Sequence, residues 1–365
     1  LVFNLFRIFP IKSNKVCFIT NKSASFESNL KTIEKEFGNR LTEDGKSYEC
    51  NFVLKDQFSL SNFYNLATSK YIFLSDNFFP IAFMNFSKST IISQLWHAPG
   101  VFKKFGYDTL SDDEKKVMEQ FGNRIDYLFV SSKNIVSRFA HNFAMAENKT
   151  VPLGIPRVDF YSECKDVCIR RIRSYFEKKY PHIRNKKIIL YAPTFRDNPK
   201  YNAVFNYFDI DRFSKELGDD YVLFVKLHPN YSNFENEEYF TNLDEISSNK
   251  NIINCTDFKD EQKLFLISDI LITDYSSVMV EYSLLNKPII LFAYDLDNYI
   301  NNERGFYFDY KEKVPGKIAY TFDDVVDFIK NNDFDLQRLN DFAHYQFDYF
   351  DGKSSKRIVD YVLDK

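Results

Sequence analysis

The chain has 365 residues, 27% charged and 44% hydrophobic, with a formal net charge of -3 and a pI of about 6.1. That length suits about two domains, and the near-neutral charge excludes a general nucleic-acid binder. Gly (10) and Pro (11) are scarce while aromatics reach 18%, which excludes disordered and collagen-like chains and predicts a large core.

The chain starts at Leu1 rather than Met, which reads as a trimmed N-terminus. Residues 1–10 are apolar with one Arg and no cleavage site. They read either as the end of an interfacial helix or as a first helix packed on the core. A strand over 15–20 follows, then a helix over 26–37 with Ser28 as a plausible cap and Gly38 after its end. Strands over 48–54 and 71–74 flank a helix over 59–68. A strand over 89–95 runs into the loop His97-Ala98-Pro99-Gly100. A helix over 112–121, a strand over 127–130 and a helix over 132–143 complete the first half.

The second half repeats the alternation. Strands are predicted over 187–191, 221–227, 252–254, 270–273 and 288–292, with helices over 211–217, 260–268 and 277–285. Such β/α alternation predicts parallel sheets covered by helices on both faces. Two such blocks predict an α/β chain of two doubly wound, Rossmann-type domains with an intervening cleft, divided near Gly154-Ile155-Pro156. The N-terminal domain would span 1–155 and the C-terminal domain 156–365, with the last helix able to pack back on the former. Ligands in these folds bind beyond the carboxyl ends of strands.

Cys17, Cys50, Cys164, Cys168 and Cys255 form no dense even framework, so all five read as thiols in a reducing compartment. Cys164 and Cys168 lie four apart on a predicted helix, but no second pair completes a metal site. Between 164 and 187, cations outnumber acids strongly, among them Arg170, Arg171, Arg173, Lys178 and Lys179. This reads as a solvated helix face or as a patch attracting anionic lipid headgroups. FGNR occurs at Phe37 to Arg40 and again at Phe121 to Arg124, each with its Gly read as a helix end. No run of about 18 apolar residues, the length that spans a bilayer, occurs.

P-loop, GxGxxG, HExxH and GxSxG motifs are lacking. Four islands instead place polar groups at strand ends. In the first, Trp96-His97-Ala98-Pro99-Gly100 is followed by Lys103 and Lys104, and an imidazole there can take a proton near neutral pH or serve structure alone. In the second, Tyr191-Ala192-Pro193-Thr194-Phe195-Arg196-Asp197, Arg196 reads as a fork for phosphate or as a surface turn with Asp197. The third, Lys226-Leu227-His228-Pro229-Asn230, ends a buried-type strand in His. In the fourth, Thr273-Asp274-Tyr275-Ser276-Ser277 leads at once into a helix, so hydroxyls and free N–H groups form a phosphate cradle or a simple cap.

Together these islands resemble the CDP-glycerol glycerophosphotransferases of wall teichoic acid and capsule synthesis. The matching strings are WHAPGVFKKFG, YLFVSS, LGIPRVDFY, ILYAPTFRD, VKLHPN, DILITDYSSVMVEYSLLNKPIILFAYDLDNY and RGFYFDY, running from Trp96 to Tyr310. The N-terminal third matches only around Ser25 to Ile33. The resemblance implies a GT-B-like fold whose C-terminal domain binds a CDP-polyol and whose N-terminal domain presents an acceptor. It implies transfer of glycerol phosphate from CDP-glycerol to a hydroxyl of an undecaprenyl-diphosphate-linked saccharide, with CMP leaving, at the cytoplasmic face of the bacterial membrane. Many polymerases of the family carry Trp-His-Gly-Thr. Trp96-His97-Ala98-Pro99 is more similar to the primases that add the first glycerol phosphate. A CDP-ribitol enzyme or a polymerase remains an alternative.

On this resemblance His97 is the expected general base. Arg196, His228, Ser276 and Ser277 would hold the donor diphosphate, with His228 also neutralising the leaving phosphate. Thr273 and Thr194 would line the same cradle. Asp274 would orient a neighbouring His or bind a donor hydroxyl. Lys103 and Lys104 would attract the acceptor's diphosphate, and Glu281 and Asp295 would contact polyol or ribose. No cofactor, no resident metal cluster and no nucleic acid is expected, although lone Asp residues can bind Mg²⁺ together with a diphosphate. The pattern is compatible with a homo-oligomer. The rival readings are a GT-B nucleotide-sugar glycosyltransferase and a non-enzymatic membrane-surface scaffold.

Overall fold

The computed structural model describes residues 2–20, 28–57, 59–196, 201, 203–228, 249–303 and 305–365. Residues 26 and 27 of the first predicted helix, Asp197, Pro229 and Asn230 lie outside them. The chain forms two compact units. The first comprises Leu1–Val101, Phe105–Glu163 and Tyr345–Lys365, the second Phe102–Lys104 and Cys164–His344. Gly154-Ile155-Pro156 lies inside the first unit, and the chain returns to that unit within the helix Leu336–Gln346.

The first unit holds a parallel sheet of β1 (Lys12–Thr20), β2 (Glu49–Leu54), β3 (Ser69–Leu74), β4 (Ile91–Gln94), β5 (Tyr127–Phe129) and β6 (Thr150–Val151), in the order β2-β1-β3-β4-β5-β6. Val16 to Thr20 of β1 are all buried, because helices cover both faces of a parallel sheet and leave no polar side to alternate with. The last helix, Ser354–Leu363, belongs to this core: Ile358, Val359 and Val362 pack with Val16, Phe18 and Phe73. Its N-terminus is capped from a distance. The buried Asp159 carboxylate accepts hydrogen bonds from the Ser354 and Ser355 N–H groups at 2.8 Å each and from Ser355 Oγ at 2.6 Å.

The second unit holds β7 (Lys187–Tyr191), β8 (Tyr221–Val225), β9 (Ile252–Asn254), β10 (Ile270–Thr273), β11 (Ile289–Phe292) and β12 (Lys317–Ala319). The order is β12-β11-β10-β7-β8-β9, again all parallel. Chain direction across this sheet reverses between β7 and β10, and across the first sheet between β1 and β3. In doubly wound sheets the strand ends at such switch points are where ligands bind.

Local chemistry explains the helix limits. Ser59 Oγ accepts from Asn62 N at 3.1 Å and starts the helix Leu60–Thr68. Ser111 and Glu114 form a capping box for Asp112–Arg124. Gly38 ends its helix as expected, but Gly122 lies inside Asp112–Arg124. A side chain there would run into the backbone carbonyls of Phe143 and Ala144, so close approach, not termination, requires this glycine.

Cys164 and Cys168 are joined by a disulfide, which corrects the reading of all five cysteines as thiols. Cys164 precedes the extended cap residue Lys165 of the helix Asp166–Lys179, and this bend leaves the two Cα atoms 5.3 Å apart, within bridging reach. At the N-terminus Phe3 is buried and packs on Phe86 with ring centroids 4.7 Å apart, while Leu5, Ile8 and Phe9 are exposed. An apolar cavity of about 460 Å³ lies there, lined by Phe3, Phe63, Phe79 and Phe83 among others. No helix among the described residues is long and apolar enough to cross a membrane.

Candidate active site

In the first unit, β4 ends at Gln94 and the chain turns sharply into Trp96-His97. Trp96 has φ of 58°, a left-handed conformation that is a true outlier for a bulky residue and persists only where surroundings over-determine it. They do so here. Trp96 N donates to Gln94 Oε1 at 2.9 Å, and Trp96 O accepts from Asn29 Nδ2 at 2.7 Å. The buried Asn29 also accepts from Arg157 N at 2.9 Å through Oδ1. The indole ring lies 5.1 Å from the Phe143 ring and 5.8 Å from that of Phe105. The strained turn presents His97, whose side chain is 53% exposed and whose ring lies 4.0 Å from the Trp96 ring.

Two side chains that sequence reading missed stand beside it. Asp76 follows β3 and places Oδ1 3.7 Å from His97 Nδ1. Lys55 follows β2 and places Nζ 2.9 Å from Asp76 Oδ2. Both lie at carboxyl ends of strands, which is the only signal that could have marked them. Arg157, from the Gly-Ile-Pro-Arg string, donates to the His97 carbonyl at 3.3 Å.

In the second unit, the loops after β7 and β10 meet at the switch point. Arg196 is not open to a ligand. It is fully buried, with Nε and Nη2 each 2.9 Å from an Asp295 oxygen and Nη1 2.8 Å from Asp274 Oδ2. Nη1 also donates to the Thr194 carbonyl. The rings of Tyr275, Tyr294 and Tyr299 surround the guanidinium, with centroids 4.8, 5.4 and 5.5 Å from Cζ. Burial opposes its charge, but Asp274, Tyr294 and Asp295 outweigh burial and hold the group firmly protonated. Arg196, Asp274 and Asp295 therefore come together as an internal ion network. This placement departs from the expectation that Arg196 forks onto phosphate, that Asp274 orients a neighbouring His or binds a donor hydroxyl, and that Asp295 contacts polyol or ribose.

The network shapes the loops around it. Asp274 accepts from the Thr194 N–H at 2.8 Å and from the Tyr275 N–H at 2.5 Å. Tyr310 donates its hydroxyl to the Asp274 carbonyl at 3.0 Å, and Tyr275 its hydroxyl to Asp295 Oδ1 at 2.9 Å. Burial, reinforced by Asp295, pushes the Tyr275 phenol far up, so it stays a donor. Thr273 is also turned inward, its Oγ1 donating to the Ala192 carbonyl at 2.7 Å. Glu281 is buried and accepts from Gln262 Nε2 at 2.7 Å, so its carboxylate serves the interior.

What remains open is smaller. His228 is exposed after β8, its ring 6.1 Å from the Phe195 ring, which ties the loops after β7 and β8 together. Ser277 is exposed, and Ser276 is half-buried and accepts from Val278 N at 3.4 Å. Thr194 is half-buried on the same loop. Lys103 and Lys104 group with this second unit, not with His97. Lys103 pairs with Phe306 in an antiparallel bridge, and Lys104 N donates to the Gly305 carbonyl at 3.1 Å.

The family model described as CDP-Glycerol:Poly(glycerophosphate) glycerophosphotransferase matches residues 1–364. The teichoic acid poly(ribitol-phosphate) polymerase of Bacillus spizizenii is 37% identical over 374 residues, 99% of this chain, though the chain spans only 58% of that protein. The teichoic acid ribitol-phosphate primase of the same organism is 32% identical over 371 residues, covering 97% of this chain and 92% of the primase. The wall teichoic acid polymerase TagF, in a variant soaked with CDPG, superposes with a TM-score of 0.78 at 24% identity, covering 100% of this chain and 92% of that one, which establishes the GT-B-like fold. Matched over its whole length by the family model and over nearly all of it by a relative of similar size, the chain belongs to the CDP-glycerol:poly(glycerophosphate) glycerophosphotransferase family.

Proposed function

We propose that this chain transfers a polyol phosphate from a CDP-activated polyol to a hydroxyl of an undecaprenyl-diphosphate-linked saccharide. The observation that carries the reading is the imidazole of His97, held by a strained turn at the end of β4, in a chain matched by the family model throughout. His97 takes the acceptor's hydroxyl proton. The oxygen bonds to the β-phosphorus, the bond to the CMP oxygen breaks, and CMP leaves with that electron pair. In-line positioning and charge neutralisation supply most of the acceleration.

The second unit binds the donor through His228, Ser276, Ser277 and Thr194, and protonated His228 offsets charge on the leaving phosphate. Arg196, Asp274 and Asp295 hold those loops in place without touching the donor. Lys103 and Lys104 act on the same donor-binding unit. The lipid-linked acceptor puts the enzyme at the cytoplasmic face of the membrane, and the exposed Leu5, Ile8 and Phe9 of the first unit support contact with that surface.

Trp96-His97-Ala98 supports glycerol as the polyol and addition of a first unit. A second reading, CDP-ribitol, is favoured by the 37% identity to the poly(ribitol-phosphate) polymerase. CMP release measured side by side with CDP-glycerol, CDP-ribitol and a UDP-sugar separates them. The account expects acceptor-dependent CMP from one CDP-polyol at a rate at least about 10-fold above the other, a margin on the scale of one lost hydroxyl contact. Release of UDP alone would make the chain a sugar transferase.

A further inference from the structure

Lys55, Asp76 and His97 follow β2, β3 and β4, and none of the motifs that mark the family includes the first two. Asp76 is the residue at the switch-point edge of the first sheet, since β3 neighbours β1 where the strand order reverses. Its carboxylate is fixed on several sides. Oδ2 meets Lys55 Nζ at 2.9 Å, and Oδ1 accepts from Asn77 N at 2.8 Å. Its backbone carbonyl accepts from Gln94 Nε2 at 3.2 Å, and the same Gln94 side chain holds Trp96 N. One glutamine thus ties the turn that carries His97 to the residue that faces its ring.

We propose that Asp76 is the positioning residue for His97, turning Nδ1 of the ring toward its own carboxylate so that Nε2 meets the acceptor hydroxyl. The proposal rests on the reading of His97 as general base. The 3.7 Å separation is an ion-pair distance rather than a hydrogen bond, and catalytic pairs of this kind tighten when substrate arrives. A carboxylate at that position selects one tautomer of the neutral imidazole and stabilises the imidazolium formed as the proton transfers. Lys55 has a second effect. By pairing with Asp76 it offsets the carboxylate's charge and moderates its pull on the ring. Among the described residues, His97 meets Asp76, which Lys55 pairs with in turn, and Arg157 at the His97 carbonyl.

The test uses the full chain with Asp76→Asn, Asp76→Glu and His97→Ala, each checked by thermal melting and by calorimetric binding of the CDP-polyol. His97 is followed by NMR titration, and transfer is followed as kcat and acceptor KM against pH. For Asp76→Asn the proposal expects kcat to fall about 10-fold or more with donor affinity unchanged. The His97 midpoint and the acid limb of kcat/KM should move together to lower pH, because the variant removes the anion that favours the imidazolium. Asp76→Glu should recover part of both. If His97→Ala is inactive but neither Asp76 variant moves the midpoint, the limb or kcat, the positioning role is overturned and the general-base reading stands. If His97→Ala keeps full transfer, the general-base reading falls and this proposal falls with it.

Discussion

Arg196→Ala is expected to destabilise the second unit by about 3–5 kcal/mol, because it strips the counter-charge from two buried carboxylates at once. Asp274 and Asp295 are both shielded from water, and neither has a second Arg or Lys among its described partners. The loss is one of folding, read as a lower urea midpoint or melting temperature. Arg196→Lys should recover only part of it, since an ammonium keeps the charge but cannot reproduce the bidentate contact with Asp295 at 2.9 Å. Unchanged melting with lost CDP-polyol affinity would return Arg196 to the donor's phosphates and remove the scaffold role given to it here.

His97→Ala is expected to cut transfer by about 10²–10⁴-fold, the usual worth of a positioned general base. Its ring is 53% exposed, so melting should hold. Donor affinity should hold as well, because His228, Ser276, Ser277 and Thr194, the groups proposed to bind the donor, belong to the other unit. The two substitutions therefore predict opposite signatures. One protein unfolds early with its chemistry intact below the transition, and the other folds normally without chemistry. Equal loss of donor binding and turnover in His97→Ala would make the imidazole a donor ligand instead.

The sheets were legible because both are parallel and covered on both faces. Buried parallel strands read as unbroken apolar runs, which is why 187–191, 252–254 and 270–273 coincide with β7, β9 and β10. Helix ends moved by a residue or two, as at Glu261–Ile267, where Asp260 caps the start. The site was legible only as far as its local strings. His97 and His228 announce themselves by standing at strand ends. The fate of Arg196 could not be read locally, since the carboxylates that enclose it come from the ends of β10 and β11, far along the chain. Asp76 and Asn29 belong to no motif for the same reason: each lies against a turn tens of residues away, and for Asp76 only its place at a strand end could have marked it. Lys103 and Lys104 follow Trp96-His97 closely in sequence, yet their bridge to Gly305 and Phe306 assigns them to the other unit.

The most direct test of polyol-phosphate transfer is mass spectrometry of the product formed from a CDP-polyol and a short-chain analogue of the lipid-linked saccharide. The account predicts that the acceptor gains the mass of polyol phosphate with one CMP released per unit added, and that His97→Ala slows both by about 10²–10⁴-fold. An acceptor of unchanged mass beside released CMP, or one carrying a sugar in place of a polyol phosphate, would contradict it.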